Sequence, residues 1–327
     1  MRKTQSQTTN KLSGRSGFAL ACDRLRSHFE QRRPIRASSL VISVFGDSIA
    51  VHGGTVWLGN LIQALRNFGV NQRLVRTSVF RLAKDGWLDS EQHGRRSFYR
   101  LTASGRHRFD QASKRIYAEP QQAWPGTWYL VMTGALTATE RDTLRKELGW
   151  LGFAPFSTCV LAHPAPDLGA VQECLAVAGC SDRVMLMESR VSNERQQSQL
   201  KKQVHAAWSL DEIAGRYRKF LNEFQPVYAS ARKQRGPLDA ELCFQVRTLL
   251  IHEYRKIHLR DPLLPDELLP RHWDGAAAYQ LCRNLYSTVA GPAEPYLVSE
   301  METADGPLPA ADAHFYRRFG GLQADNE

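Results

Sequence analysis

The sequence predicts an α+β protein with several domains, and three observations indicate this class. The chain has 327 residues, 43% of them hydrophobic, which is enough for two or three separate cores. Residues 71–101 combine a helical apolar pattern with a two-stranded one, and residues 128–187 alternate strand-like and helix-like runs. From residue 194 onward the apolar spacing is helical. Helices and strands therefore occur in separate blocks, as in α+β proteins.

Positive charge is concentrated in the N-terminal third of the chain. The net charge is +10, but residues 1–118 hold 21 Lys and Arg against 7 Asp and Glu, whereas residues 119–327 hold 22 against 26. Such a distribution is expected where one domain meets phosphate groups. A solvated basic face without a partner is the alternative interpretation.

The six cysteines follow no metal-binding or redox spacing, since the sequence has no CxxC pair. Several lie on apolar helical patterns, where a free cysteine behaves as a small hydrophobic residue. The sequence shows neither a signal peptide nor an apolar run of 18 residues. We therefore expect a cytoplasmic protein with reduced cysteines and no membrane partner.

Residues 1–36 are predicted to be a basic N-terminal arm. The polar composition of the first 15 or so predicts disorder, and residues 21–31 have the pattern of a short helix. Arginine-rich arms can reach DNA grooves, although an ordinary flexible terminus is the simpler interpretation.

Residues 37–118 are predicted to contain three helices, a hairpin and a linking helix. The first helix begins at Ser38 and Ser39 and has apolar residues up to Ile49. Residues 55–57 either pair as a short strand or cap the second helix, which covers residues 58–67. Residues 46–50 faintly resemble the GxSxG nucleophile elbow. They lack the final glycine and fall inside a helix, which argues against hydrolase chemistry.

The third helix of this segment, residues 72–84, has a sharply defined pattern. Val75, Val79 and Leu82 form one apolar stripe. Asn71 precedes the helix as an N-cap, and Gly86 ends it, because glycine takes a left-handed turn without a Cβ clash. Two strands follow, with a turn at residues 93–94 and arginines beside it. Helix, helix, turn, helix and hairpin together predict a winged helix-turn-helix DNA-binding domain.

The predicted DNA contacts are the polar side chains of the third helix and of the hairpin tip. Arginine can donate two parallel hydrogen bonds to guanine in the major groove, and glutamine can pair with adenine. Arginines at the wing can enter the minor groove or bind phosphates. The candidates are Gln72, Arg73, Arg76, Thr77, Arg81, Lys84, His93, Arg95 and Arg96.

Longer stretches resemble a known family. The helix within RLVRTSVFRLAKDGWL looks like the recognition helix of GntR-type regulators. More specifically, the chain resembles the PaaX family of phenylacetate-degradation repressors over residues 38 to 322. The matching stretches are FGDSIAVHGGTVWLGNL, VRTSVFRLAKDGWLD, GRRSFY, QQAWPGTW, LLIHEYRKIHLRDPLLPDELLPRHWDG and FYRRFGGL.

The resemblance implies a homodimeric transcriptional repressor of aromatic catabolism that is released from its operator by phenylacetyl-CoA. A dimer with two wings is expected to read an inverted repeat in double-stranded DNA, because a two-fold protein matches a two-fold site. The expected effector is an aromatic acyl-CoA, and no cofactor is expected.

Residues 119–192 are predicted to form a ferredoxin-like domain, because strands and helices follow in a βαββαβ order. PaaX relatives are similar here to small CRISPR-associated adaptation nucleases, which carry a metal-binding aspartate at the end of the first strand. Thr133 and Gly134 occupy that place in this chain. A neutral hydroxyl does not supply the charged oxygen that Mg²⁺ requires, so we predict an inactive domain.

Residues 193–327 are predicted to form a helical effector and dimerisation domain. Their phenylalanines and leucines fit a bundle core better than a ligand box. A CoA thioester carries several phosphates, so its pocket should offer basic side chains near an apolar cleft. The candidates flank a proline-rich loop, and they are Arg255, Lys256, Arg260 and Arg271. Solubility and salt bridging are their alternative roles.

Two enzymatic functions remain as alternatives to this non-enzymatic function. One is a metal-dependent nucleic-acid enzyme that uses the ferredoxin-like domain, which Thr133 argues against. The other is a CoA-ester-processing enzyme, for which no nucleophile–base pair is visible. His252 and His258 are six residues apart, which does not place them on one helical face as metal ligands.

Overall fold

The computed structural model describes residues 16–32, 34–119, 124–191 and 193–322. The disorder expected for the first 15 residues, and Arg33 of the basic arm, lie outside this part of the chain. Helices and several small sheets are both present, which confirms the mixed α+β class. The chain divides into two units: the first is Met1–Glu119, Lys219–Arg255 and Ala277–Glu327, and the second is Pro120–Arg218 and Lys256–Ala276. The predicted four-part division stays a prediction.

The N-terminal part of the first unit consists of helices and one small sheet. Its elements in chain order are α1 (Gly17–Gln31), α2 (Ala37–Val44), β1 (Thr55–Trp57), α3 (Leu58–Arg66), α4 (Gln72–Lys84), β2 (Leu88–His93), β3 (Arg96–Leu101) and α5 (Ala103–Ile116). The three strands are antiparallel in the order β1-β3-β2. The first predicted helix is not regular to Ile49, because α2 gives way to a π-helical turn at Phe45–Ile49 and a 3₁₀ turn at Ala50–His52.

Helix α4 forms where the pattern predicts it. The Asn71 side chain accepts a hydrogen bond from the Leu74 backbone N–H at 2.9 Å, which satisfies one free donor of the first turn. Val75 and Val79 are fully buried. Gly86 follows the helix with a φ of 73°, a conformation that glycine adopts without steric cost.

The second unit contains a four-stranded sheet. Its elements are β4 (Thr127–Met132), α6 (Ala138–Trp150), β5 (Ala154–Ser157), β6 (Val160–His163), α7 (Leu168–Val177), β7 (Met185–Arg190) and α8 (Glu194–Ala207). The strand order is β5-β6-β4-β7, with every pair antiparallel. One core includes Val131, Leu144 and Val171, so α6 and α7 pack there against the sheet. A separate core joins Trp128 to Val204 and Trp208.

Long helices dominate the C-terminal sequence: α9 (Leu210–Lys233), α10 (Ala240–His258) and α11 (Asp274–Glu300). A short hairpin of β8 (Glu302–Thr303) and β9 (Gly306–Pro307) follows, and then α12 (Ala313–Tyr316). The phenylalanines predicted to be core, Phe220, Phe224 and Phe244, are buried, which confirms that prediction. In the described part of the chain no helix is long and apolar enough to cross a bilayer.

The predicted ends of two of these helices, Phe224 and Val289, are wrong. Pro226 lies inside α9, and Pro292 and Pro295 lie inside α11. A proline removes one backbone hydrogen bond and disfavours a helix interior. The apolar neighbours Val227, Ala293 and Leu297 are buried, and their packing outweighs this cost.

Candidate nucleic-acid interface

The outward face of α4 carries the predicted helix contacts. Residues three or four positions apart share a face of a helix, and the buried residues Val75, Val79 and Leu82 occupy the opposite one. The six candidates on this helix are all exposed, and they are Gln72, Arg73, Arg76, Thr77, Arg81 and Lys84. The structure thus brings them to one accessible surface, while their contacts with DNA remain a prediction.

Two local contacts order the first turns of this face. Thr77 Oγ1 donates a hydrogen bond to the Arg73 backbone carbonyl at 2.9 Å. In the amide orientation that satisfies both groups, the Gln72 carbonyl accepts from Arg76 Nε and Nη2 at 3.1 Å. Arg76 therefore holds the Gln72 side chain in place, and the two side chains project together from the start of the helix.

The hairpin β2–β3 places the remaining candidates at its tip. Gly94 adopts a φ of 60° in the turn, and His93, Arg95 and Arg96 around it are exposed. The Arg96 guanidinium lies over the Trp57 ring at 4.5 Å and pairs with Glu302 at 3.0 Å. Arg96 is therefore positioned by contacts within the first unit.

Acidic side chains on the hairpin were not foreseen from the sequence. Asp89 pairs with Arg100 at 2.9 Å, and this hydrogen bond lowers the pKa of the Asp89 carboxyl. Glu91 lies 2.9 Å from His93 Nε2. Asp89 and Arg100 are cross-strand partners on β2 and β3, whereas Glu91 and His93 are two residues apart on β2 and so share one face of it. The strands thus balance part of their own positive charge, and Arg96 at the tip is paired with Glu302. The positive charge of this surface therefore comes mainly from α4 and from Arg95.

Sequence reasoning also missed Phe80, whose side chain is 70% exposed. The apolar stripe of α4 left this residue out, and its position four residues after Arg76 places it among the cations. An aromatic residue outside the stripe was the signal that could have identified it.

A buried network of charged side chains surrounds the turn that follows α2 in the first unit. Asp47, in the π-helical turn after α2, is 2% exposed. Its carboxylate accepts from Arg247 Nε at 2.7 Å, and Arg318 Nη1 lies 3.1 Å from it. The hydroxyls of Tyr117 and Tyr286 donate to it at 2.7 and 2.8 Å. The turn is therefore fixed by four side chains from other parts of the first unit.

The network extends to a second carboxylate, Glu294. Arg247 Nη1 donates to it at 2.6 Å, and His52 Nε2 lies 2.8 Å from it. Burial raises the pKa of both carboxyls, but the facing donors outweigh burial and hold the pKa of Asp47 and of Glu294 below their ordinary values. Both groups are therefore ionised in the folded protein at neutral pH.

Acid should weaken the first unit through this network. Because both pKa values are lower in the folded state, the stabilisation is complete above the unfolded pKa values of about 4 and is lost as the pH falls below them. We expect the free energy of unfolding in urea to decrease steadily from pH 5 to pH 3. In Asp47→Asn it should be lower at pH 5 but fall less steeply, and parallel pH curves for the two proteins would contradict this prediction.

The structure places the predicted effector residues in different units. Arg255 belongs to the first unit, where its Nε donates to Ser43 Oγ at 2.8 Å and its Nη2 to the Ser39 carbonyl at 2.6 Å. Burial lowers the pKa of its guanidinium to about 10. Lys256, Arg260 and Arg271 belong to the second unit and are exposed. The contacts of Arg255 are therefore structural ones.

Thr133, at the place expected for a metal-binding aspartate, is buried. Its hydroxyl donates to the Cys159 carbonyl at 3.2 Å, so it closes a backbone contact at the end of β4. Among the described residues, no group of three or more His, Cys, Asp and Glu side chains is arranged to hold a metal ion.

The fold and this face define an α+β protein that presents an exposed cationic helix beside an antiparallel hairpin. Three family models match the chain: "PaaX-like protein" over residues 36–105, "PaaX protein central Cas2-like domain" over 121–201, and "PaaX-like protein C-terminal domain" over 208–299. The chain belongs to the PaaX family.

Two individual proteins are similar to this chain. The chain is 38% identical over 305 residues to "Transcriptional repressor PaaX" of Escherichia coli (strain K12), which covers 93% of this chain and 96% of that protein. A solved structure, "Uncharacterized protein Rv0674 from Mycobacterium tuberculosis", is similar with a TM-score of 0.48 and 22% identity over 72% of this chain and 89% of that one.

Proposed function

We propose that this protein is a DNA-binding transcriptional repressor of phenylacetate catabolic genes. The observation that carries the proposal is the surface formed by α4 and the hairpin tip, where nine candidate side chains predicted from the sequence are all exposed. The likeness to a protein named as a transcriptional repressor supports it. A repressor acts on the chromosome, so a cytoplasmic location follows from the proposal.

The proposal treats α2 to β3 as a winged helix-turn-helix with α4 as the recognition helix. Three helices, a sheet of order β1-β3-β2 and the capped helix α4 support this assignment. A helix of this kind fits the major groove, and the hairpin reaches the adjacent backbone or minor groove. The likeness of α4 to GntR-type recognition helices remains a prediction.

The central domain is proposed to be ferredoxin-like and without nuclease activity. Its βαββαβ order, its strand order β5-β6-β4-β7 and the match to a Cas2-like family model support the architecture. A metal-dependent nucleic-acid enzyme has less support, because Thr133 offers a neutral hydroxyl that is already bonded to a carbonyl.

Release by an aromatic acyl-CoA, with phenylacetyl-CoA as the expected ligand, is the regulatory part of the proposal. Lys256, Arg260 and Arg271 are exposed cations suited to its phosphates, whereas Arg255 would first have to leave Ser39 and Ser43. The protein is proposed to act as a homodimer on an inverted repeat. The ligand weakens DNA binding only if it prefers the conformation that binds DNA poorly.

Nuclease footprinting on the region upstream of the protein's own gene tests this function. We expect one protected site with two-fold symmetry, and we expect phenylacetyl-CoA to abolish the protection while coenzyme A and acetyl-CoA do not. The absence of any protected site would contradict the repressor assignment. Protection that persists in phenylacetyl-CoA would agree with the repressor assignment but would refute phenylacetyl-CoA as the effector. Cleavage of the duplex in Mg²⁺ would favour the enzymatic alternative.

A further inference from the structure

The centre of the α4 face is apolar, although the residues around it are cationic. Phe80 lies seven residues after Arg73, four after Arg76, three after Thr77 and four before Lys84, so all of them share one side of the helix. This side is opposite the buried stripe. The ring is therefore aimed outward from the middle of the proposed DNA-binding surface.

Packing within the described part of the chain leaves most of the Phe80 ring exposed. Phe80 is 70% exposed, and Tyr316 is the only other aromatic residue among the large exposed hydrophobic side chains in the described part of the first unit. Leaving a phenylalanine in water forgoes roughly 1.5–3 kcal/mol of burial. A polar residue at this position would keep the helix and its core contacts intact.

The cations around Phe80 identify what covers it. A face that presents arginines and a lysine binds a polyanion, and within duplex DNA the apolar group that the major groove exposes is the thymine C5-methyl. Phenylalanine is one of the side chains that contact this methyl. The flanking arginines are predicted to bind neighbouring guanines or phosphates.

We infer that Phe80 is a specificity-determining residue that contacts a thymine methyl group in each half-site of the operator. The inference rests on the proposed function and adds a base identity to it. Phe80 distinguishes thymine from cytosine without a hydrogen bond, whereas Arg73 and Arg76 provide the polar part of the recognition. Removing the ring should therefore change sequence preference without changing the number of phosphates that are neutralised.

Thymine-to-deoxyuridine substitution tests this contact, because it removes only the methyl group. Duplexes covering the footprinted upstream site would carry single replacements, and their affinity would be measured by fluorescence anisotropy. For the wild-type protein we expect about three- to fivefold weaker binding when one or two particular thymines of each half-site are replaced. This is the loss expected when a methyl group that is buried in the complex is removed. Phe80→Ala should bind the thymine duplex about 4- to 20-fold more weakly and show no further loss at those positions.

The controls separate this contact from folding and charge. Tyr316→Ala removes an exposed aromatic ring of the same unit outside the helix and hairpin, and it should retain the wild-type pattern of deoxyuridine effects. Phe80→Ala should unfold at the wild-type temperature and keep the wild-type dependence of affinity on salt, since no cation is lost.

Specific results would overturn the inference. If Phe80→Ala shows the same losses at deoxyuridine as the wild-type protein, the methyl contact does not exist. A changed sedimentation coefficient of Phe80→Ala would place the ring between copies of the chain instead. If the wild-type protein binds no upstream duplex at all, the proposed function itself fails, which is distinguishable from either result.

Discussion

Replacing Arg247 by alanine is expected to destabilise the protein by about 3–5 kcal/mol, the usual cost of removing one partner from a buried ion pair. Arg247 is fully buried, and it donates to the Asp47 carboxylate, the Asp47 carbonyl and Glu294. The variant removes one charged donor from each of these acceptors in a water-poor interior, and the truncation also creates a cavity. Urea denaturation at pH 7 measures the effect.

An exposed arginine of the same unit provides the control for the stability of Arg247→Ala. Arg232, exposed near the end of α9, should change the free energy of unfolding by less than about 0.5 kcal/mol when it is replaced by alanine. Arg247→Lys keeps a positive charge beside Asp47 and Glu294 and should therefore be more stable than Arg247→Ala. An Arg247→Ala protein within 0.5 kcal/mol of wild type would show that the network does not stabilise the fold.

Replacing both Arg73 and Arg76 by alanine is expected to abolish specific DNA binding. Each bidentate arginine contact with guanine contributes about 1–3 kcal/mol of discrimination, so loss of both should weaken operator affinity by about 2–6 kcal/mol. Both side chains are exposed, and the apolar stripe of α4 is unchanged, so the variant should fold normally. Titration of the footprinted duplex at fixed salt measures the loss.

The matched control for charge is Arg232→Ala/Arg235→Ala, which removes two exposed cations outside α4 and the hairpin. It should bind the duplex as the wild type does. Binding to a duplex of unrelated sequence should fall less than specific binding in Arg73→Ala/Arg76→Ala, because the phosphate contacts predicted for Lys84 and Arg95 do not depend on those arginines. Unchanged operator affinity in the double variant would remove α4 from the recognition surface.

Elements defined by local signals could be predicted from the sequence. Helix α4 has the bounds Gln72–Lys84 that its cap, its apolar stripe and its terminal glycine predict. The exposure of the six candidate contacts on α4 also follows from local periodicity, since helix residues off the buried stripe must face solvent. Helix bounds and the exposure of helix residues depend on neighbours in the sequence, so they can be predicted from a single sequence.

Features that depend on distant residues could not be predicted in this way. Asp47 resembles part of a nucleophile elbow, yet it is the centre of a network whose members, Arg247 and Arg318, are 200 and 271 residues away in the chain. A charged residue in a helical pattern is ordinarily assigned to the surface, and no local signal indicates that it is buried. The same holds for Arg255, a candidate effector ligand whose guanidinium is bonded to Ser39 and Ser43.

Hydroxyl-radical footprinting of the protein, read by mass spectrometry, tests the central claim most directly: that α4 and the hairpin tip form the surface that meets a duplex. Oxidation of the exposed side chains Phe80 and His93 reports on that surface. Oxidation of the exposed side chains Trp150 and Met185 reports on the second unit, outside that surface. With the upstream duplex bound, we expect oxidation of Phe80 and His93 to fall several-fold while Trp150 and Met185 stay unchanged. Unchanged oxidation of Phe80 and His93 in a saturated complex would contradict the account.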